Sequence, residues 1–166
     1  TKVDSNGCAL GADEDGDGVA DADDKCANTP MSDKVDASGC SVFMEEEVSQ
    51  TLKFTFGNNS SVIVNHESDF EAFADFMKRY PNTDTVIEGH ASAPGDAGYN
   101  MMLSQKRAEA VRKLLITKYG IEAARVTAVG YGETQLLDTA NTAAANAKNR
   151  RITAKVTASK RVKVEK

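Results

Sequence analysis

Residues 87–107, IEGHASAPGDAGYNMMLSQKR, bring together the kinds of group that hold anions. They read as a strand end, a Gly/Pro loop and the opening turns of a helix. Such a junction places backbone N–H groups, a positive dipole end and the Arg107 guanidinium around one small volume. The chemistry on offer is capture of a carboxylate. Ser92, Asp96 and Asn100 add a hydroxyl, a carboxylate and an amide within the same stretch. Nothing there reads as catalytic. Ser92 lacks a G-x-S-x-G setting, and His66 and His90 are the only histidines, so a nucleophile is not expected and the chain reads as no enzyme.

A second stretch points to cation chemistry. In Asp13–Asp24, DEDGDGVADADD, carboxylates fall at positions one, three, five, nine and twelve: Asp13, Asp15, Asp17, Asp21 and Asp24. Gly18 takes position six and Val19 offers a carbonyl at position seven. Alternate residues can then aim oxygens inward while the glycine permits a sharp turn, the logic of a Ca2+ loop. The closing residue is Asp rather than Glu, and no flanking helices are evident. The competing reading, a solvated acidic linker, does not account for this register.

The three cysteines, Cys8, Cys26 and Cys40, all lie in this first segment, as expected for disulfide staples in an oxidising compartment. VDSNGC at 3–8 recurs as VDASGC at 35–40. The complete repeat unit supplies Cys26, so Cys26–Cys40 is the preferred pair. Cys8 then closes an earlier unit, with Cys8–Cys26 the alternative.

Residues 1–40 carry ten acids against three lysines, a net charge of -7, which leaves +2 on the remainder of a chain of net charge -5. An acidic head on a near-neutral body excludes nucleic acid as a natural partner. No apolar run approaches the roughly 18 residues of a membrane helix. The start, TKVDSNGC, lacks a signal pattern, as expected of a mature protein or an excised fragment.

The elements that must position these groups follow from periodicity. Val48–Phe56 alternates as a half-buried strand. Ser68 and Glu71 form a capping box opening a helix with Phe70, Phe73, Ala74 and Met77 along one stripe. Thr85–Glu88 is a short strand. A long helix starts at Asn100 or Ser104; its core face is Leu103, Val111, Leu114 and Leu115. Glu109, Arg112 and Lys113 fall on its solvent side, whereas Arg107 falls on the apolar side. Arg125–Val129 and Ile152–Thr157 are strands, and 138–148 a polar loop with a short helical turn. The expected fold class is α/β, a two-layer βαβαββ sandwich with helices on one face of a mixed sheet. The expected divisions are a loop segment over 1–45, a domain over 46–158 and a flexible tail over 159–166.

Two resemblances attach to these residues. DxDGDGVxDxxDxC followed by TP resembles the thrombospondin type 3 repeat, a calcium-binding, disulfide-stapled module, over about residues 4–41. GHASAPGDAGYNMMLSQKRAEAVRKLL, then RVTAVGYGE, then NRRI, resembles the OmpA-like C-terminal domain, from about Leu52 to Val156. That family includes the periplasmic part of OmpA-type porins, peptidoglycan-associated lipoprotein and flagellar stator proteins.

The second resemblance implies non-covalent binding of peptidoglycan through the diaminopimelate of its stem peptide. In the family pattern GHTDxxG the aspartate takes the ligand's ammonium, and the arginine of LSxxRA takes its carboxylate. Arg107 matches that arginine and Asn100 the asparagine of the YN pair. Asn59 falls in the loop that borders the pocket. The aspartate position is Ser92, with Asp96 four residues on as a substitute charge, and Gly57 replaces a common polar residue. The implied role is to tether the outer membrane of a Gram-negative bacterium to its cell wall. The chain would then lie in the periplasm as part of a porin, with a calcium-stiffened spacer leading to an N-terminal barrel. The alternative is a structural domain of weakened wall binding, used for homodimer formation or contacts with other envelope proteins.

Overall fold

The computed structural model describes Val3 and residues 11–166. Leu52, Phe54 and Phe56 are buried while Lys53 and Thr55 between them are exposed, the period-two signature of a strand with one dry face. That strand, β1, spans Phe43–Thr55. It is followed by α1 (Glu67–Arg79), β2 (Thr85–Gly89), α2 (Ala97–Thr117), a 3-10 turn (Ala123–Arg125), β3 (Val126–Gly130), α3 (Ala143–Asn149) and β4 (Arg151–Lys163). Two compact units result: residues 48–158, and the described part of 1–47 together with 159–166.

In the larger unit the sheet order is β1-β4-β2-β3. β3 runs parallel to β2, from Thr85↔Val126 to Gly89↔Gly130. β4 is antiparallel to β2, with Ile87 opposite Ala154. The fold is therefore a mixed four-stranded α/β sheet with helices, as the pattern implied. Two details differ. The first two strands, β1 and β2, are not neighbours in the sheet, because β4 lies between them. A full helix, α3, separates β3 from β4, so the order is βαβαβαβ. Thr142 starts α3 by accepting the Ala145 N–H at 3.1 Å, and three consecutive alanines lower the cost of helix formation.

Phe70, Phe73, Ala74 and Met77 are buried on one stripe of α1. They pack with Leu52, Ile87, Ile152 and Val156 of the sheet and with Ala108, Val111 and Leu115 of α2. The Ser68/Glu71 capping box is absent. His66 is the N-cap without a side-chain cap bond, its ring stacked 4.5 Å from Phe54. Setting Phe70 into the core starts the helix two residues earlier than the box required.

α2 begins at Ala97, earlier than Asn100 or Ser104, because Asp96 caps it. Its buried residues include Asn100, Ser104 and Arg107 as well as apolar ones. Polar residues are tolerated there because the first turns lie against backbone. A Cβ on Gly89 would collide with the Ser104 carbonyl, and one on Gly130 with the Gln105 amide. These two glycines let the helix settle on the strand ends.

In the smaller unit, Cys26 and Cys40 form a disulfide with Cα atoms 5.1 Å apart. Cys8 lies outside the described residues. Residues 159–166 are not a flexible tail. β4 continues to Lys163, Val164 donates to the Val42 carbonyl at 2.9 Å, and Lys34 donates to the Val164 carbonyl at 2.7 Å. The Lys163 ammonium meets the buried Asp33 carboxylate at 2.8 Å. A charged, apolar-poor sequence is held here by ladder bonds and an ion pair rather than by burial.

Candidate functional site

Arg107 is fully buried, at 0% exposure. Its Nε donates to the Ser60 carbonyl at 2.8 Å, Nη1 to the His90 carbonyl at 3.1 Å, and Nη2 to the Gly57 carbonyl at 3.1 Å. The Phe56 ring centroid lies 5.1 Å from the guanidinium carbon, within cation–π range. Burial first, and the nearby Arg150 charge second, push the guanidinium down to about 10, with Tyr99 opposing. It therefore stays protonated at neutral pH. Among the described residues no carboxylate forms an ion pair with it. A guanidinium has five N–H donors in a planar fork, and backbone carbonyls occupy three of its groups. The result is a buried cation held by neutral dipoles, a strong electrostatic preference for an anion.

The other sequence-derived residues divide around it. Asn100 is buried and its Nδ2 donates to the carbonyls of Ser92 and Pro94 at 3.1 and 3.2 Å, fastening the loop that carries Ser92. Ser92 itself is half-buried. Asp96 accepts the Tyr99 N–H at 2.8 Å as the α2 N-cap, which fixes its carboxylate on the helix start. Asn59 is exposed, with φ +52, in the loop whose Gly57 and Ser60 carbonyls hold Arg107. Arg107 and the Asn59 loop are thus brought together, as are Ser92 and Asn100, and Asp96 has a structural task.

The end of β2 carries a buried polar group. His90 is 1% exposed, its ring stacked 5.5 Å from Tyr131 and its Nε2 3.7 Å from Glu88 Oε2. Burial, then the Arg151 charge, lower its pKa against the pull of Glu88.

In the smaller unit, Asp13, Asp15 and Asp17 present carboxylate oxygens that all lie within 4.8 Å of one another. Asp17 is 1% exposed and its Oδ2 has no hydrogen-bond partner, an arrangement that a cation would complete. Gly18 takes φ +104, the left-handed turn that position six demanded. Asp24 lies beside Asp17, because a Cβ on Gly39 would meet both carboxylates. Asp24 Oδ1 also accepts the Cys26 N–H at 2.8 Å. Asp21 instead accepts the Glu14 N–H at 2.8 Å, and the Val19 N–H is taken by Asp17 Oδ1 at 2.7 Å. Three of the expected ligands therefore converge, a fourth adjoins them, and Asp21 lines one cavity with Asp15 and Asp24. The donor set is all oxygen, as hard cations require.

Comparison with known proteins gives a consistent result. The model of the OmpA family matches residues 55–150. Outer membrane porin F of Pseudomonas aeruginosa is 46% identical over 148 residues, which cover 89% of this chain and 42% of that protein. Peptidoglycan-associated lipoprotein of Buchnera aphidicola is 35% identical over 101 residues, 61% of this chain and 57% of that protein. The crystal structure of the peptidoglycan-associated lipoprotein from Burkholderia pseudomallei superposes with a TM-score of 0.57 at 30% identity, covering 64% of this chain and 89% of that one. The chain spans less than half the length of the porin relatives it matches.

Proposed function

The chain belongs to the OmpA family, and from that premise we propose that it is a periplasmic domain of an outer-membrane protein that grips peptidoglycan without a covalent bond. The observation that carries this reading is the buried Arg107 cation, which has carbonyls and, among the described residues, no carboxylate paired with it. A stem-peptide carboxylate, as on diaminopimelate, would take the place of the Gly57 or Ser60 carbonyl and turn a neutral bond into a charge-assisted one. Ser92 and Asn100 border the position of the ligand's ammonium, and Asn59 rides on the loop that must give way. The proposed role of these residues is binding rather than turnover.

The acidic unit supports a Ca2+ site held by Asp13, Asp15 and Asp17, with Asp24, the Val19 carbonyl and Asp21 as further ligands. Bound calcium would stiffen a loop-rich segment whose internal ties include the Cys26–Cys40 disulfide. In a whole porin that segment would serve as spacer to a membrane barrel.

A second reading rests on one residue. Ser92 stands where the family carries an aspartate, and losing one partner of a buried charge pair costs about 2–5 kcal/mol. With that loss the domain would serve homodimer or envelope-protein contacts and bind wall weakly. Co-sedimentation with purified peptidoglycan separates the two. Under the first reading wild type pellets with the wall, and Ser92→Asp changes affinity by less than about tenfold. Wild type in the supernatant with Ser92→Asp in the pellet would establish the second.

A further inference from the structure

The acidic unit does not close on its own sequence. Residues 159–166 group with the described part of 1–47. They carry Lys160, Arg161, Lys163 and Lys166 against Glu165, a net charge of +3 beside the -7 of residues 1–40. Backbone bonds fasten them as a strap. Val164 donates to the Val42 carbonyl at 2.9 Å and accepts the Lys34 N–H at 2.7 Å, and Lys166 donates to the Ser32 carbonyl at 2.9 Å. Glu165 pairs antiparallel with Asp33. The buried Asp33 carboxylate takes the Lys163 ammonium at 2.8 Å and the Ser41 hydroxyl at 2.6 Å.

The segment that this strap clamps is the one that lies on the acidic loop. Thr29, buried, donates its N–H to Asp15 Oδ2 at 2.7 Å and its hydroxyl to the Gly39 carbonyl at 2.8 Å. Met31 lies against Gly16, where an added Cβ would come within 3.4 Å of its side chain. Asp33 donates to the Pro30 carbonyl at 2.9 Å and closes the turn between them. Lys166 also reaches the loop directly, its Nζ donating to the Asp17 carbonyl at 2.9 Å. That bond uses the backbone oxygen and spares Asp17 Oδ2, which is buried without a hydrogen-bond partner among the described residues. Carboxylates whose oxygens lie within 4.8 Å repel one another, so their convergence has to be held from outside the loop. The strap supplies such a hold, and a cation then meets oxygens that are already gathered.

We infer that the cation site is built from two distant parts of the chain, the acidic loop over 13–24 and the strap over 159–166. The inference rests on the calcium reading above and adds a positioning element to it. Residues of the strap ligate nothing; they hold Ser32, Asp33 and the Asp17 backbone, through which the loop keeps its shape. Coupling of this kind is reciprocal: strap docking raises calcium affinity, and bound calcium holds the strap down by the same factor. The repeat pattern of residues 4–41 thus lacks one part of its own support.

The test is titration of the full chain with calcium chloride by calorimetry, together with amide exchange. In wild type, saturating calcium should slow exchange at the Val164 and Lys166 amides by about tenfold, a typical coupling. Val164→Pro deletes the N–H that Val42 receives and should lower calcium affinity by about the same factor. Val164→Ala keeps that donor and should stay within about twofold of wild type. Unchanged exchange at Ile87 and Ile152 in both variants checks that the larger unit is folded. Strap amides that exchange equally fast with and without calcium in wild type overturn the inference, even if Val164→Pro does not fold. So does a Val164→Pro variant with wild-type calcium affinity, or a Val164→Ala variant as weak as Val164→Pro. Wild type that takes up no calcium removes the metal reading and this inference with it, an outcome told apart by the absence of binding in every protein.

Discussion

Arg107 donates from Nε to the carbonyl oxygen of Ser60, 47 residues earlier in the chain, at 2.8 Å. This bond joins the helix that follows the Gly/Pro loop to the loop that follows β1. Arg107 is therefore both a candidate ligand receptor and a structural tie. Any carboxylate that reaches it must compete with carbonyls already in place.

Truncating Arg107 should consequently cost stability as well as binding. Arg107→Ala leaves the Gly57, Ser60 and His90 carbonyls without this donor and opens a cavity beside Phe56. Unfolding free energy should fall by about 3 kcal/mol or more, since each buried unsatisfied group costs about 1–3 kcal/mol. Arg107→Lys keeps the charge but not the fork and should fall between the two. Urea melts give the values; an Arg107→Ala variant as stable as wild type would mean the three bonds contribute nothing.

Stability should also decline in mild acid through His90. In the unfolded chain its imidazole titrates near 6.5, whereas burial and Arg151 hold it lower in the fold. The fold therefore keeps His90 neutral, and its contribution is complete above pH 6.5. As pH falls from there toward the folded value, the unfolded chain takes the proton first and stability drops, by at most about 1.4 kcal/mol per pH unit. His90→Phe should remove that slope while keeping a ring against Tyr131. Equal slopes in both proteins would locate the pH dependence elsewhere.

How much of this was legible beforehand varies with the physics involved. Alternation in Leu52–Phe56 and the Phe70–Met77 stripe announced a sheet and a helix because burial is periodic. The apolar register of Arg107 was likewise visible. Its carbonyl partners were not, since Gly57 and Ser60 are distant in sequence and bond through backbone that any residue supplies. Ser68 and Glu71 gave a local capping signal that tertiary placement of Phe70 overrode. The strand nature of 159–163 was hidden because ladder bonds, unlike burial, leave no hydrophobic pattern. Arg112 looked solvent-facing for a related reason, as its Nε donates to the Val126 carbonyl at 2.7 Å, a backbone bond that periodicity does not show.

Calcium should stabilise the acidic unit. With free ion at about a hundred times its dissociation constant, mass action gives roughly 2.7 kcal/mol. Scanning calorimetry with calcium and then with chelator should show a transition that moves up and returns. Asp17→Asn should lose most of the shift, because Asp17 carries the buried oxygen that lacks a partner. A wild-type transition indifferent to calcium would remove the metal site.

The same unit should depend on its disulfide. Cys26 and Cys40 are 14 residues apart, and closing a loop of that size constrains the unfolded chain by about 3 kcal/mol. Cys26→Ser/Cys40→Ser should lower the calcium-free transition accordingly and weaken calcium affinity by loosening the Asp17–Asp24 neighbourhood. Unchanged calcium titrations in that variant would show the ligand loop to be ordered independently.

The most direct measurement is the Arg107 Nε–H resonance during titration with diaminopimelate. If Arg107 receives the ligand's carboxylate, this signal moves saturably as the Ser60 carbonyl is displaced, in wild type as in Ser92→Asp, with affinities within about tenfold of each other. A resonance that stays fixed in both proteins, up to ligand concentrations that saturate the wall-binding assay, would contradict the account.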